Sequence, residues 1–113
     1  MSLLSLHTYQ ESDAVRMTVS GELDLSSALT FEEELRRIEE QSPTSVLVLD
    51  LRSLKFMDST GLRLILSAHA RAVNHGRKLV IVQGGDAVRR IFRLTGVLER
   101  LNFVEEVAAP AAR

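Results

Sequence analysis

The 113-residue chain has no cysteine, only three histidines, and charges that almost cancel, with fourteen Lys and Arg against fifteen Asp and Glu for a formal net charge of −1. Each shortage excludes something. Without cysteine there is no disulfide framework, no thiolate metal centre and no thiol nucleophile. Three histidines leave few routes to a His-rich metal site. The near-neutral balance excludes a global basic field for nucleic acid or an anionic membrane surface, leaving at most a local patch. No apolar run approaches the ~20 residues of a membrane-spanning helix. The start, Met1-Ser2-Leu3-Leu4-Ser5, lacks the basic segment and long apolar stretch of a secretory signal. The expected location is therefore the cytoplasm, with neither nucleic acid nor membrane among the expected partners. What is present is ordinary for a soluble globular protein: 45% hydrophobic and 26% charged residues. The length fits one domain with a core that needs no staples.

Hydrophobic periodicity divides the chain into alternating elements. Residues 3–9 and 14–20 alternate, with Leu4, Leu6, Val15, Met17 and Val19 on one side. That period of two predicts strands with one covered face. The short polar connector Gln10-Glu11-Ser12-Asp13 makes them a hairpin, and Gly21 is expected to end the second strand. Ala28, Phe31, Leu35 and Ile38 then follow helical spacing, with Glu and Arg mostly on the opposite side. Asp24, Ser26 and Ser27 are candidate caps for this helix, and Gln41-Ser42-Pro43 stops it. Residues 46–51 and 79–82 are short apolar runs of the kind that suits central parallel strands. Between them the spacing predicts a helix from Ser59 to Asn74, with Gly76 as a left-handed stop. A third helix capped by Asp86 carries Val88, Ile91 and Phe92 and closes at Thr95-Gly96. Residues 97–101 supply one more helical turn, and 103–107 a short last strand. Residues 1–107 thus form one domain, and 108–113 are expected to be a flexible tail. The order β-β-α-β-α-β-α gives an α/β layer fold, a mixed and mostly parallel sheet of four to five strands with about four helices.

The stretch that carries chemistry runs from Asp50 to Leu62, out of a buried strand and into a helix start. In open α/β sheets functional groups gather at that carboxyl end. Ser59 and Thr60 fall in the first helical turn, beside backbone N–H groups without intrahelical partners, a place that favours negative charge. A phosphate on Ser59 would add about −1.5 to −2 charges there without unfolding the helix. Gly61, bare of a side chain just after the hydroxyls, is expected to ease the approach of another protein's active site. Asp-Ser-Thr at a helix start is also ordinary capping chemistry. The two readings are compatible, because Asp58 can cap while Ser59 accepts a phosphate. Phe56, Met57 and Leu62 are candidates for apolar contact, with Leu62 read as core. Arg52, Lys55 and Arg63 either form a basic rim or are simply solvated.

Phe56-Met57-Asp58-Ser59-Thr60-Gly61-Leu62 after Val46-Leu47-Val48-Leu49-Asp50-Leu51 resembles the signature of anti-sigma factor antagonists of the STAS-domain family. So does Val19-Ser20-Gly21-Glu22-Leu23-Asp24 ahead of the first helix, and Phe92-Arg93-Leu94-Thr95-Gly96-Val97 followed by Phe103 is similar to the family's C-terminal half. The resemblance implies a single STAS-like domain that acts by reversible binding rather than catalysis, with no cofactor and no metal. The implied partner is an anti-sigma factor that is also a serine kinase. Binding it frees a sigma factor; the kinase phosphorylates the serine after the motif Asp, here Ser59; the phosphorylated form lets go; and a serine phosphatase restores it. The resemblance also places Asp24 close to that serine. The implied contact surface is Asp24, Phe56, Met57, Asp58, Thr60, Gly61 and Arg63, and the oligomeric state is left open.

Other chemistries fit poorly. A hydrolase nucleophile elbow needs glycine two residues before the serine, where this chain has Met57. His69 lies ten residues along the same helix, ~15 Å from Ser59, too far to act as its base, and His75 is farther; arithmetic leaves His7 on the first strand open, though a lone strand histidine is more often structural. Gly84-Gly85-Asp86 reads as a turn and cap, without the Lys-Ser/Thr of a phosphate loop. Asp24 and Asp58 lack a third metal ligand. The alternative function is a stand-alone STAS accessory subunit of a lipid-transporting ABC system, bound to its ATPase. Serine rather than threonine directly after Asp58 favours the sigma pathway.

Overall fold

Strands β1 (Leu4–Glu11) and β2 (Ala14–Leu23) form the antiparallel hairpin that the alternation predicts, in a computed structural model that describes residues 3–42 and 44–105. Gly21 does not end β2. The register shifts between Gly21 and Glu22, and the strand runs on to Leu23. Its first half pairs in parallel with β3 (Val46–Asp50), from Ala14 opposite Val46 to Thr18 opposite Asp50. Its second half pairs in parallel with β4 (Leu54–Met57), with Leu23 opposite Met57. β3 and β4 therefore follow one another along the same neighbour, separated by a detour at residues 51–53.

The remaining elements are α1 (Ala28–Gln41), α2 (Ser59–Asn74), β5 (Lys78–Val82), α3 (Asp86–Leu94), a 3-10 turn at Leu98–Arg100 and β6 (Asn102–Val104). The sheet order is β1-β2-β3-β5-β6 with β4 beside β2, and only β1 is antiparallel. The described sheet has six strands, one more than the expected maximum, because the detour hides β4. Three α-helices and the 3-10 turn match the expected helical segments. Helix α2 has its predicted bounds, and Gly76 follows it at φ 69°, the left-handed stop that the sequence suggests. The last strand is shorter than the predicted 103–107. Glu106, Val107 and the tail at 108–113 lie outside the described residues.

One face of the sheet meets all three helices. Val15, Met17, Val19, Leu49, Leu79 and Ile81 are buried there against Phe31, Leu35 and Ile38 of α1, Ile65 and Ala68 of α2, and Val88 and Phe92 of α3. This follows from topology: right-handed crossovers that step in one direction along a sheet place their helices on one side. Alternation sends Arg16 and Asp50 to the other face, where they are only 6% and 4% exposed and form an ion pair at 2.8 Å.

Candidate functional site

Two neighbouring strands deliver the site. β2 ends at Leu23 and β4 at Met57, which are register partners, so Asp24 and Asp58 leave the same edge of the sheet side by side in sequence register. The Asp58 backbone N–H donates to the Leu23 carbonyl at 3.2 Å, which ties the two exits together. Asp58 is the cap of α2: its Oδ1 accepts from the Thr60 N–H at 2.9 Å and the Gly61 N–H at 3.2 Å. Two of the orphan donors of the helix start are thereby satisfied. Ser59 is the first helical residue and is exposed, and its hydroxyl makes no hydrogen bond with another described residue. The first turn of α2 holds no acidic residue, so the helix dipole there is opposed only by the cap itself.

Across the gap, Asp24 is committed to its own loop. Its Oδ1 accepts from the N–H and hydroxyl of Ser26 at 3.1 and 2.7 Å and from the Ser27 N–H at 3.2 Å. Ser27 in turn donates through Oγ to the Glu22 carbonyl at 2.9 Å and accepts from the Asp24 N–H at 3.0 Å. Of the three candidate caps, Ser27 occupies the cap position of α1, but its side chain makes no capping bond there. Asp24 instead fastens the turn that precedes the helix.

Phe56 is 45% exposed on β4, and Lys55 and Arg63 are exposed on either side of the cap. Thr60 is half-buried. Met57 and Gly61 face the interior. Met57 is 1% exposed and Gly61 is buried, and a Cβ on Gly61 would stand 2.7 Å from Leu23 Cγ and 2.8 Å from Met57 Cγ. Met57 thus has no side-chain surface to offer a partner. Gly61 is bare so that α2 can seat on the ends of β2 and β4, and not to open a path for another active site. Gly61→Ala is expected to lower the unfolding free energy by about 1–3 kcal/mol through overpacking, against alanine's helix-propensity gain of about 1 kcal/mol. Urea titration checks it, and an unchanged midpoint would mean that Leu23 and Met57 yield without cost.

Arg52 is a brace and not a free rim cation. Its Nε and Nη2 donate to the two Asp50 oxygens at 2.9 and 2.7 Å, and its backbone N–H donates to Asp50 Oδ1 at 3.1 Å. Burial pushes the Asp50 carboxyl upward. The hydrogen bonds from Arg52 and the charges of Arg52 and Arg16 outweigh that and hold it below the usual carboxylate range. This cluster folds the detour that aligns β4 with β2 and so delivers Asp58 and Ser59 to the edge.

Two exposed apolar residues, one in the Asp24 loop and one just after it, escaped the sequence reading. Leu25, in the Asp24 loop, is 76% exposed, and Leu29, in the first turn of α1, is 66% exposed. The signal was available for Leu29, which stands on the far side of the helix from the Phe31, Leu35 and Ile38 stripe. Among the described residues no group of three or more acidic or His side chains is placed to hold a metal ion, and no helix is long and apolar enough to cross a membrane.

A family model described as the STAS domain matches residues 5–109. The chain belongs to the STAS-domain family. It is 33% identical over 81 residues to the anti-sigma-F factor antagonist RsfB of Mycobacterium tuberculosis, covering 72% of this chain and 65% of that protein's length. It is 28% identical over 102 residues to an anti-sigma-B factor antagonist of Staphylococcus aureus, covering 90% of this chain and 94% of the relative. Its fold matches a structure of the Bacillus cell fate determinant SpoIIAA in the phosphorylated form with a TM-score of 0.71 at 17% identity, over 91% of this STAS domain and 92% of that chain.

Proposed function

We propose that this STAS domain is an anti-sigma factor antagonist: it binds an anti-sigma factor that is also a serine kinase, frees a sigma factor, and is switched off by phosphorylation of Ser59. The observation that carries the reading is an exposed, uncommitted serine hydroxyl at the start of a capped helix, in a chain similar to two anti-sigma factor antagonists. The helix start accommodates the phosphate, so the modified domain stays folded. The contact surface surrounds Ser59. Phe56, Leu25 and Leu29 supply exposed apolar area, while Arg63, Thr60, the Asp24 turn and the Asp58 cap frame it. Met57 and Gly61 serve this surface from beneath, by seating α2.

Binding precedes modification, and modification ends binding. A phosphate beside Asp58 and near the Asp24 loop adds like-charge repulsion and the cost of desolvating a dianion at the contact. A serine phosphatase reverses the switch. The protein acts by association alone and works in the cytoplasm.

Incubating the chain with the cognate kinase and ATP tests the site. Ser59→Ala is expected to abolish phosphate incorporation while retaining binding to the kinase. Incorporation at the unmodified rate would move the acceptor elsewhere, with Thr60 as the adjacent hydroxyl. Capture of an ABC-type ATPase in place of a kinase would select the alternative of a transporter accessory subunit.

A further inference from the structure

At the pole opposite Ser59, a cavity of about 250 Å³ opens between the C-terminal halves of α1 and α2, over the first residues of β3 and β5. Ile38, Leu47, Ala68, Ala72 and Leu79 give it an apolar floor. Its rim carries four cations, Arg36, Arg71, Arg77 and Lys78, against the carboxylates Glu39 and Glu40 and the Glu32 that pairs with Arg36 at 4.0 Å, which leaves one net positive charge in a chain whose net charge is −1. The rim is also organised in advance. Arg71 grips Glu39 with two bonds of 2.9 Å, and Arg77 Nη1 donates to the Glu39 carbonyl at 3.1 Å. Glu39 is thereby neutralised within the wall. Lys78 has no carboxylate within ion-pair distance among the described residues.

We propose that this cavity is a binding site for a small amphipathic carboxylate. An apolar floor under a surplus of positive charge selects a ligand with a hydrophobic body and one anionic end. A dry apolar cavity of ~150 Å³ holds benzene, so the volume here takes a ring or a medium-length alkyl chain with its carboxylate at the rim. It lies below the ~300 Å³ at which larger organic ligands begin to fit, and the ring that lines it is the imidazole of His75. The volume favours a small ligand over a nucleotide. Lys78 supplies the ionic contact, and Arg77, held by the Glu39 carbonyl, adds positive potential, while the charge of Arg71 is balanced by Glu39. The site is independent of the partner-switch reading, because no residue that lines it belongs to the Ser59 surface.

Sodium octanoate titrated into the isotopically labelled full chain, followed by amide chemical shifts, tests this. The expected result is saturable movement of the Ala68, Ala72, Lys78 and Leu79 signals with a Kd of about 1 mM, and still signals at Ser59 and Thr60. Lys78→Glu, on an exposed side chain, is expected to weaken binding by roughly tenfold or more. Ala72→Leu, which fills the floor from a half-buried helix position, is expected to abolish it. Octanol at equal concentration is expected to bind at least several-fold more weakly. Non-saturable shifts, octanol binding as well as octanoate, or affinity unchanged by Lys78→Glu would each overturn the proposal. The Lys78 variant keeps it testable if Ala72→Leu fails to fold.

Discussion

On the proposed function, Ser59→Asp is expected to lower affinity for the anti-sigma kinase by about tenfold to a hundredfold while leaving the fold intact or slightly more stable. The opposite signs are the point of the experiment. Ser59 is the first residue of α2, and an acidic side chain in that turn interacts favourably with the helix dipole by about 0.3–1 kcal/mol. The same charge faces outward, where Ser59 is exposed beside Phe56 and the Asp58 cap. Like charges brought together at an interface cost several kcal/mol, and about 1.4 kcal/mol already changes affinity tenfold. A substitution that merely damaged the domain would lower both quantities. Isothermal calorimetry for binding, paired with urea unfolding for stability, separates the cases, and affinity equal to that of the unsubstituted chain would refute the charge mechanism. Ser59→Ala is the companion: it removes the acceptor without adding charge, so binding should persist.

The start of α2 was legible because two independent signals coincide there. An apolar stripe begins at Leu62, and Asp58 stands where a cap belongs, so the helix bounds and the exposed serine follow from one dimension of sequence. β4 was hidden for a physical reason. The Arg52-Ser53 detour breaks the apolar run, and within Leu54–Met57 both central residues are exposed, so neither period two nor an unbroken run appears. The inward facing of Gly61 was equally hidden. Its bareness is explained by Leu23 and Met57, one of which lies far away in the chain. Arg52 has the pattern of a surface cation in the sequence because its partner, Asp50, stands within the apolar run at 46–51. The local pattern shows which residues are charged but not which of them a buried neighbour claims.

That neighbour carries the largest stability prediction. Asp50→Ala is expected to cost about 3–5 kcal/mol at neutral pH, the range for breaking a buried ion pair from one side. Arg16, only 6% exposed, would keep its charge but lose Asp50 at 2.8 Å, retaining Glu11 at 2.8 Å as a partly exposed partner. The pH dependence follows from the direction of the shift. The folded Asp50 carboxyl lies below its ordinary value, so its contribution is fully present above the ordinary carboxylate range, near 4, and is lost as pH falls through the lowered folded value. The gap between the native chain and Asp50→Ala should therefore be widest near neutral pH and close in acid, as measured by urea unfolding at a series of pH values. A constant gap across that series would mean that Asp50 acts by packing rather than by charge. The consequence reaches the site as well. Asp50 and Arg52 fold the detour that sets β4 against the end of β2, so the variant should also slow kinase phosphorylation of Ser59 under conditions where it remains folded. Restoring a shape-matched but neutral acceptor with Asp50→Asn should recover part of that rate, since Arg52 and its backbone N–H can still donate to an amide oxygen, while leaving Arg16 without its buried countercharge.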